Sequence, residues 1–171
     1  MLKPAYLYTT KEELNKLINR NDKIYLTYSS YDRFEIVEYL DNDEWNNFQY
    51  ISVGKDDNIL GFYEFSRNQI ANRINSCFFV HFKNEEYYDE KVAKNDFKEI
   101  FSRVAHNPQI NIIYFTAICD NPSNERMYKY LLDAWNGKRF VLPKYARLKD
   151  GKIYDVYQYY FEVEGLSDVR I

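Results

Sequence analysis

The helix that would contain Tyr128 is the first candidate for chemistry in this chain. The stretch DNPSNERMYKYLLDAW, residues 120–135, follows the apolar run INIIYFTAIC and places Asn121 seven residues before Tyr128. Asn121 is a good helix N-cap, and the proline after it is tolerated in a first helical turn. Tyr128 lies beside an apolar stripe. It therefore either packs in the core or donates a proton, as a phenol with a pKa of about 10 can.

Two further titratable side chains lie on predicted strands. Glu64 lies in ILGFYEF and His81 in NSCFFVHF. Either can accept a proton if it is partly buried and close to the reacting group. Each also has a purely structural alternative. Glu64 shares one side of its strand with Phe62 and Ser66, a side that can face solvent. His81 follows Phe79 at a spacing of two, as a hydrogen-bonded core histidine would.

Composition limits the classes of function. The 171 residues suffice for one domain, 1–171, and 46% hydrophobic with 29% charged residues is typical of a soluble protein. Aromatic residues are abundant, with 18 Tyr and 12 Phe, and tyrosine is favoured in cores and at protein interfaces. A net charge of −3 without a basic stripe argues against nucleic acid as a partner. Two Cys and two His make a disulfide framework or a zinc site improbable.

The same composition predicts where the protein resides. No apolar run reaches the roughly 18 residues of a membrane span, so we expect no membrane insertion. The N-terminus lacks the features of a secretory signal, which predicts a cytoplasmic protein. Abundant Asn, Lys, Ile, Tyr and Phe with few Gly indicate an AT-rich genome, such as a low-GC bacterium or its phage. A phage-encoded protein would lie in the host cytoplasm or in the virion.

Hydrophobic periodicity predicts the elements of the first half of the chain. Thr10 and Glu13 form a capping box that opens a helix, TKEELNKLIN. KIYLTYSS, residues 23–30, has the composition of a strand, and residues 31–48 have apolar residues at helical spacing. YISVGKDDNILGFYEF predicts an antiparallel hairpin that turns at residues 55–58.

The second half predicts a βαβ step followed by a terminal hairpin. NSCFFVHF is a third strand, and DEKVAKNDFKEIFSRVAHN is an amphipathic helix. INIIYFTAI lacks alternation, which predicts a central strand covered on both faces. The helix after it should end at Gly137, and an Asp-Gly turn at residues 150–151 joins two last strands. This order predicts an α+β fold with a mixed, mostly antiparallel central sheet flanked by helices.

The order of elements, with Asn121 and Tyr128 in the helix after the apolar strand, resembles the GNAT superfamily of acyl-CoA-dependent N-acyltransferases. The similarity runs from about residue 23 to residue 163. The family helix commonly reads N-x-x-A-x-x-x-Y, and here Asn124 replaces the small residue. An aspartate early in the last strand is matched by Asp155. The resemblance implies a GNAT-like fold with a splayed pair of parallel strands, NSCFFVHF and INIIYFTAI.

The resemblance also implies a site. Acetyl-CoA would lie between the splayed strands, and the enzyme would transfer an acetyl group to a small-molecule or protein amine. Tyr128 would protonate the departing CoA thiolate, and Glu64 or His81 would take the proton that the amine loses. The implied cofactor contacts are Val80, His81, Phe82 and Lys83 along the pantetheine arm, with Asn121 and Asn124 at the helix start.

One segment departs from the family pattern. GNAT enzymes carry Q/R-x-x-G-x-G/A before the helix that follows NSCFFVHF, and its glycines let backbone N–H groups surround the pyrophosphate. Here the segment reads FKNEEYYDEKVA, without glycine, and its carboxylates compete with a pyrophosphate for the helix N-terminus. The sequence therefore predicts an N-acetyltransferase with weakened or lost activity. The alternative is a non-catalytic, phage-type accessory or virion protein of the same fold that binds a protein partner or a second copy through a Tyr-rich surface.

Overall fold

The computed structural model describes residues 1–20, 40, 47–68, 73–81, 90–119, 122–147 and 151–163 of the chain. The helices and strands of these residues, in chain order, are β1 (Leu2–Pro4), α1 (Ala5–Tyr8), α2 (Lys11–Arg20), β2 (Asn47–Val53), β3 (Ile59–Asn68), β4 (Arg73–His81), α3 (Glu90–Ala105), β5 (Ile112–Ile118), α4 (Pro122–Trp135), β6 (Lys138–Arg147) and β7 (Ile153–Glu162). The strand predicted at 23–30 lies outside the described residues. So does most of the helical pattern at 31–48, whose last two residues begin β2 instead.

The seven described strands form one sheet in the order β1-β2-β3-β4-β5-β7-β6. All neighbouring strands are antiparallel except β4 and β5, which are parallel. The β2–β3 and β6–β7 hairpins require antiparallel neighbours, whereas the long connection through α3 permits a parallel pair. The predicted α+β fold with a mixed, mostly antiparallel sheet is confirmed. None of the described helices is long and apolar enough to cross a membrane.

The predicted capping box opens α2. The Glu13 backbone N–H donates to the Thr10 hydroxyl at 3.2 Å, and the Thr10 N–H donates to the Glu13 carboxylate at 3.1 Å. The Thr9 hydroxyl donates to the same carboxylate at 3.0 Å. The Thr10 backbone bond, followed by the Thr9 bond, holds the pKa of Glu13 below its usual value, because both favour the charged form. The helix then packs its apolar side on one face of β2 and β3, called here the α2 face.

The larger core lies on the opposite face of the sheet, beneath α3 and α4. Its helical members are Phe97, Ile100, Phe101, Val104 and Ala105 of α3 and Tyr128, Leu131 and Trp135 of α4. Because both helices cover this face, β5 buries Ile113, Phe115 and Ala117 against them and leaves the residues between only half-buried. The face of β5 under α3 and α4 is therefore buried more deeply than its other face.

The end of α4 differs slightly from the prediction at Gly137. The helix ends at Trp135, and Asn136 takes the left-handed conformation, with φ 49°, that terminates many helices. The Gly137 N–H donates to the Leu132 carbonyl at 3.1 Å. A Cβ on Gly137 would lie 2.4 Å from the ring of buried Phe161, so glycine is needed here for close packing.

Ser52 and Asp96 form a buried polar contact between β2 and α3. The Ser52 hydroxyl donates to the Asp96 carboxylate, and both residues belong to the buried set. Burial raises the pKa of Asp96 above its usual value, and the hydrogen bond from Ser52 offsets this only in part. The folded state thus binds the proton more tightly than the unfolded chain. As a result, the free energy of unfolding falls as pH rises from about 4 through the raised pKa.

We expect the Asp96→Asn variant to be more stable than the wild type near pH 7. The amide oxygen still accepts the Ser52 hydrogen bond, but no charge is then held away from water. The advantage should shrink as pH falls toward about 4, where the wild-type carboxyl becomes neutral. Urea unfolding at several pH values measures this. Asp133→Asn, at an exposed position of α4, is the control and should change little. A less stable Asp96→Asn protein at pH 7 contradicts the prediction.

Candidate functional site

A wedge opens between β4 and β5 because these strands pair only where they begin. The parallel ladder joins residues 73–74 to residues 112–113. Beyond these two pairs β4 continues to His81 and β5 to Ile118 without further pairing between them among the described residues. The wedge therefore has its apex at the second pair and opens toward the carboxyl ends of both strands. This agrees with the splayed parallel pair expected from the sequence.

A β-bulge in β4 stands at the apex of the wedge. The β3–β4 register passes from Ser66↔Ser76 to Arg67↔Ile74, so Asn75 is an extra residue without a partner on β3. An extra residue bends its strand and increases the local twist. The bulge follows directly on the last β4–β5 pair, so its position accounts for the parting of the strands. Neither glycine nor proline marks it in the sequence.

Tyr128 lies in the larger core, against the strand that forms one wall of the wedge. Its ring centroid is 4.7 Å from that of Phe115 on β5 and 4.6 Å from that of Tyr159 on β7. Phe97 of α3 contacts it edge-on at 6.0 Å, and only 2% of Tyr128 is exposed. Tyr128 thus packs in the core, which is one of the two roles that the sequence left open. The rings also fix the orientation that a proton donor at this position would need.

Glu64 lies on the opposite face of the sheet from Tyr128. Its neighbours Tyr63 and Phe65 belong to the larger core, so by alternation Glu64 points to the α2 face. Glu64 is half-buried and accepts hydrogen bonds from the Gln49 amide at 2.8 Å and the Ser66 hydroxyl at 3.1 Å. The structure therefore does not place Glu64 and Tyr128 on one face. Glu64 is on β3, the strand next to β4. The wedge lies on the other side of β4, where the parted strands leave the sheet open from one face to the other.

The other predicted site residues fall partly within the described chain. Val80 and His81 end β4, where their backbones pair with Phe62 and Gly61 of β3 on one edge and border the wedge on the other. Asn124 lies in the first turn of α4. The predicted contacts at Phe82, Lys83 and Asn121 lie outside the described residues.

Asp155, the residue that matches the family's last strand, has a structural role. Its carboxylate accepts from the Lys144 backbone N–H at 2.8 Å, and its carbonyl accepts from the Cys119 N–H at 3.1 Å. Lys144 has φ 53° and lies where the β6–β7 register shifts. Asp155, a residue of β7, thus forms hydrogen bonds both with the irregular part of β6 and with the residue that follows β5.

Three lysines in the first and middle turns of α3 form a set of positive charges. Lys91, Lys94 and Lys98 share one side of the helix by their spacing. The ammonium groups of Lys94 and Lys98 lie 4.6 and 5.7 Å from the ring centroid of Tyr130 on α4. Sequence reasoning missed this set, although the spacing 91, 94, 98 could have revealed it. These cations are suited to binding phosphate groups.

No protein-family model and no curated protein matches the sequence. Solved structures do match the fold. A chimera of spermidine N-acetyltransferase SpeG from Vibrio cholerae with hSSAT has TM-score 0.71 and 16% identity over 98% of each chain. A phenylalanine-to-alanine mutant of SpeG gives TM-score 0.69 and 15% identity, again over 98% of each chain. A probable acetyltransferase gives 0.55 and 10%, over 70% of this chain and 63% of that one. The chain therefore has the fold of the GNAT N-acetyltransferases, as the sequence resemblance implied.

Proposed function

We propose that this protein transfers an acetyl group from acetyl-CoA to an amine. The wedge between β4 and β5 is the observation that carries the proposal. Backbone groups on its two walls do not pair with each other among the described residues, and such groups need hydrogen-bond partners. An extended thioester with amide groups along its arm fits this requirement. The general function of the structural neighbours, acetyl transfer, agrees with it.

Residues of the chain have distinct tasks in this proposal. Acetyl-CoA, when bound, supplies the activated acetyl group. Val80 and His81, with Phe82 and Lys83 after them, would pair with the extended arm through their backbones. Tyr128 would hold the proton that the leaving sulfur needs, since a phenol is a suitable acid for a thiolate. Glu64, His81 or a water molecule next to one of them would take the proton from the amine, and Asn121 and Asn124 would border the cofactor at the start of α4.

The lysines of α3 replace part of what the missing glycines would provide. Without glycine between residues 82 and 89, a close backbone cradle for the pyrophosphate is not available. The ammonium groups of Lys94 and Lys98 can still attract phosphates, although as point charges without a fixed geometry. We therefore propose weak, salt-dependent cofactor binding.

We expect titration calorimetry of the folded chain to detect acetyl-CoA binding at micromolar to millimolar concentrations. Lys98→Glu should weaken binding several-fold, because it replaces an attraction for phosphate by a repulsion. Lys55→Glu is the matched control in the exposed β2–β3 turn and should leave the affinity unchanged. Absence of binding at millimolar acetyl-CoA would exclude the enzymatic function.

A protein-binding role is the second candidate, and β6 is the observation that favours it. Among the described strands β6 is at the edge of the sheet, and Phe140, Val141 and Tyr145 are 50, 55 and 60% exposed. Phe140 and Val141 are adjacent, so they point to opposite faces and a strand added at the edge would cover both. The β6 sequence KRFVLPKYAR has four cations and no acidic residue, which favours an extended acidic segment of another protein. Under this alternative the folded chain binds no acetyl-CoA.

A further inference from the structure

Arg73 is a half-buried cation without a counter-charge in the described part of the chain. Its guanidinium carbon lies 5.4 Å from the centre of the Tyr114 ring. Its Nε atom is buried and has no hydrogen-bond partner among the described residues. Leaving a charged donor away from water without an acceptor costs free energy. This arrangement therefore points to an anion that the described chain does not supply.

Arg73 stands at the apex of the wedge. It is the first residue of β4, it pairs with Ile112, and it immediately precedes the last paired residue, Ile74. Two residues of strand span roughly 7 Å, so Arg73 is that far along β4 from the bulge at Asn75. Ile74 belongs to the larger core. By alternation Arg73 therefore lies on the α2 face, on the side of the sheet opposite that core.

Two carboxylates of this face, among the residues that the structure describes, already have partners and are poorly suited to a substrate with several ammonium groups. Glu64 already accepts two hydrogen bonds, and Glu162 pairs with Lys138 at 3.4 Å. Arg73 itself repels a polycation. The structural neighbours named for spermidine therefore share the fold of this chain but need not share its substrate.

We propose that the acceptor is an amine that also carries a carboxylate, and that Arg73 binds this carboxylate. This inference rests on the proposed acetyl transfer. A guanidinium edge that includes Nε can donate two parallel hydrogen bonds to a carboxylate, and the Tyr114 ring supports the guanidinium plane. The acceptor nitrogen then forms its bond to the acetyl carbon as the carbon–sulfur bond of the thioester breaks. The sulfur takes one proton, and the nitrogen releases one to the base.

The first test compares amino acids with their own carboxamides as acceptors, with spermidine included, by measuring thiol release from acetyl-CoA. We expect kcat/KM to be about ten-fold or more higher for the carboxylates, because a charge-assisted hydrogen bond is lost in each amide. Arg73→Met should remove this preference by raising the KM for the carboxylates to that for the amides. Arg73→Lys should retain part of it. Arg139→Met removes another described arginine that stacks on a tyrosine, Tyr157 at 4.2 Å, and should have no effect.

The second test does not depend on turnover. The Arg73 Nε–Hε signal, assigned in NMR spectra by its absence from Arg73→Lys, should shift saturably with an amino acid and not with its carboxamide. A preference for spermidine, or an Arg73→Met defect equal for acids and amides, would overturn the inference. If acetyl-CoA binds but the signal does not move, the inference alone fails. If the signal moves and acetyl-CoA does not bind, the carboxylate site stands and the proposed transferase fails.

Discussion

Replacing Tyr128 by Phe should lower kcat about a hundred-fold and leave the KM for acetyl-CoA nearly unchanged. The variant loses only the hydroxyl that would protonate the leaving sulfur. It keeps the ring, whose centroid lies 4.7 Å from that of Phe115 and 4.6 Å from that of Tyr159. Because these contacts remain, cofactor binding and folding should be preserved. Thiol release at saturating acceptor and acetyl-CoA measures the change.

Tyr63→Phe is the matched control for this experiment. Tyr63 is fully buried in the same core and contacts Phe97, which Tyr128 also contacts. Loss of its hydroxyl should change kcat by less than about two-fold, because it is assigned no proton transfer. Full activity in Tyr128→Phe would show that Tyr128 only packs in the core. The acid would then have to be sought elsewhere along the wedge.

Truncation of Phe101 to Ala should lower the free energy of unfolding by about 3–5 kcal/mol. Phe101 is fully buried. Its ring centroid lies 4.9 Å from that of Phe161 on β7 and 5.3 Å from that of Trp135 on α4. One side chain therefore joins α3, α4 and the sheet. The close packing around it leaves little room for neighbours to fill the cavity. Urea unfolding measures the loss, provided that the unfolding free energies of the wild type and the variant fall equally steeply with urea concentration.

Phe140→Ala is the control for the stability measurement. Phe140 is half-exposed on the edge strand β6, so its truncation should change the free energy of unfolding by about 0.5 kcal/mol or less. Similar losses in Phe101→Ala and Phe140→Ala would contradict the assignment of the larger core to the face under α3 and α4.

Sequence patterns predicted the elements whose causes are local. The capping box of Thr10 and Glu13, the β2–β3 hairpin and the amphipathic α3 each depend on residues close together in the chain. The strand β1 was missed because it has three residues and forms only by pairing with β2, far along the sequence. Such a short segment has no periodicity to detect.

The candidate site was predictable only in part, for a similar reason. The spacing from Asn121 placed Tyr128 on α4, but the face on which Glu64 lies depends on where α2 and α3 pack. Arg73 has no distinguishing pattern in the sequence. Arg73 stands out because its Nε atom lacks a hydrogen-bond partner among the described residues. This is a property of the folded molecule and cannot be read from the residues next to Arg73 in the sequence.

The bulge at Asn75 has a consequence for how such a fold changes over time. It arises from the number of residues that β4 places opposite β3, and not from the side chains they carry. Mutations can therefore replace almost every side chain along β4 while the opening persists, whereas an insertion or deletion would alter it at once. Sequence drift of this kind is compatible with the 15–16% identity between this chain and proteins of the same fold.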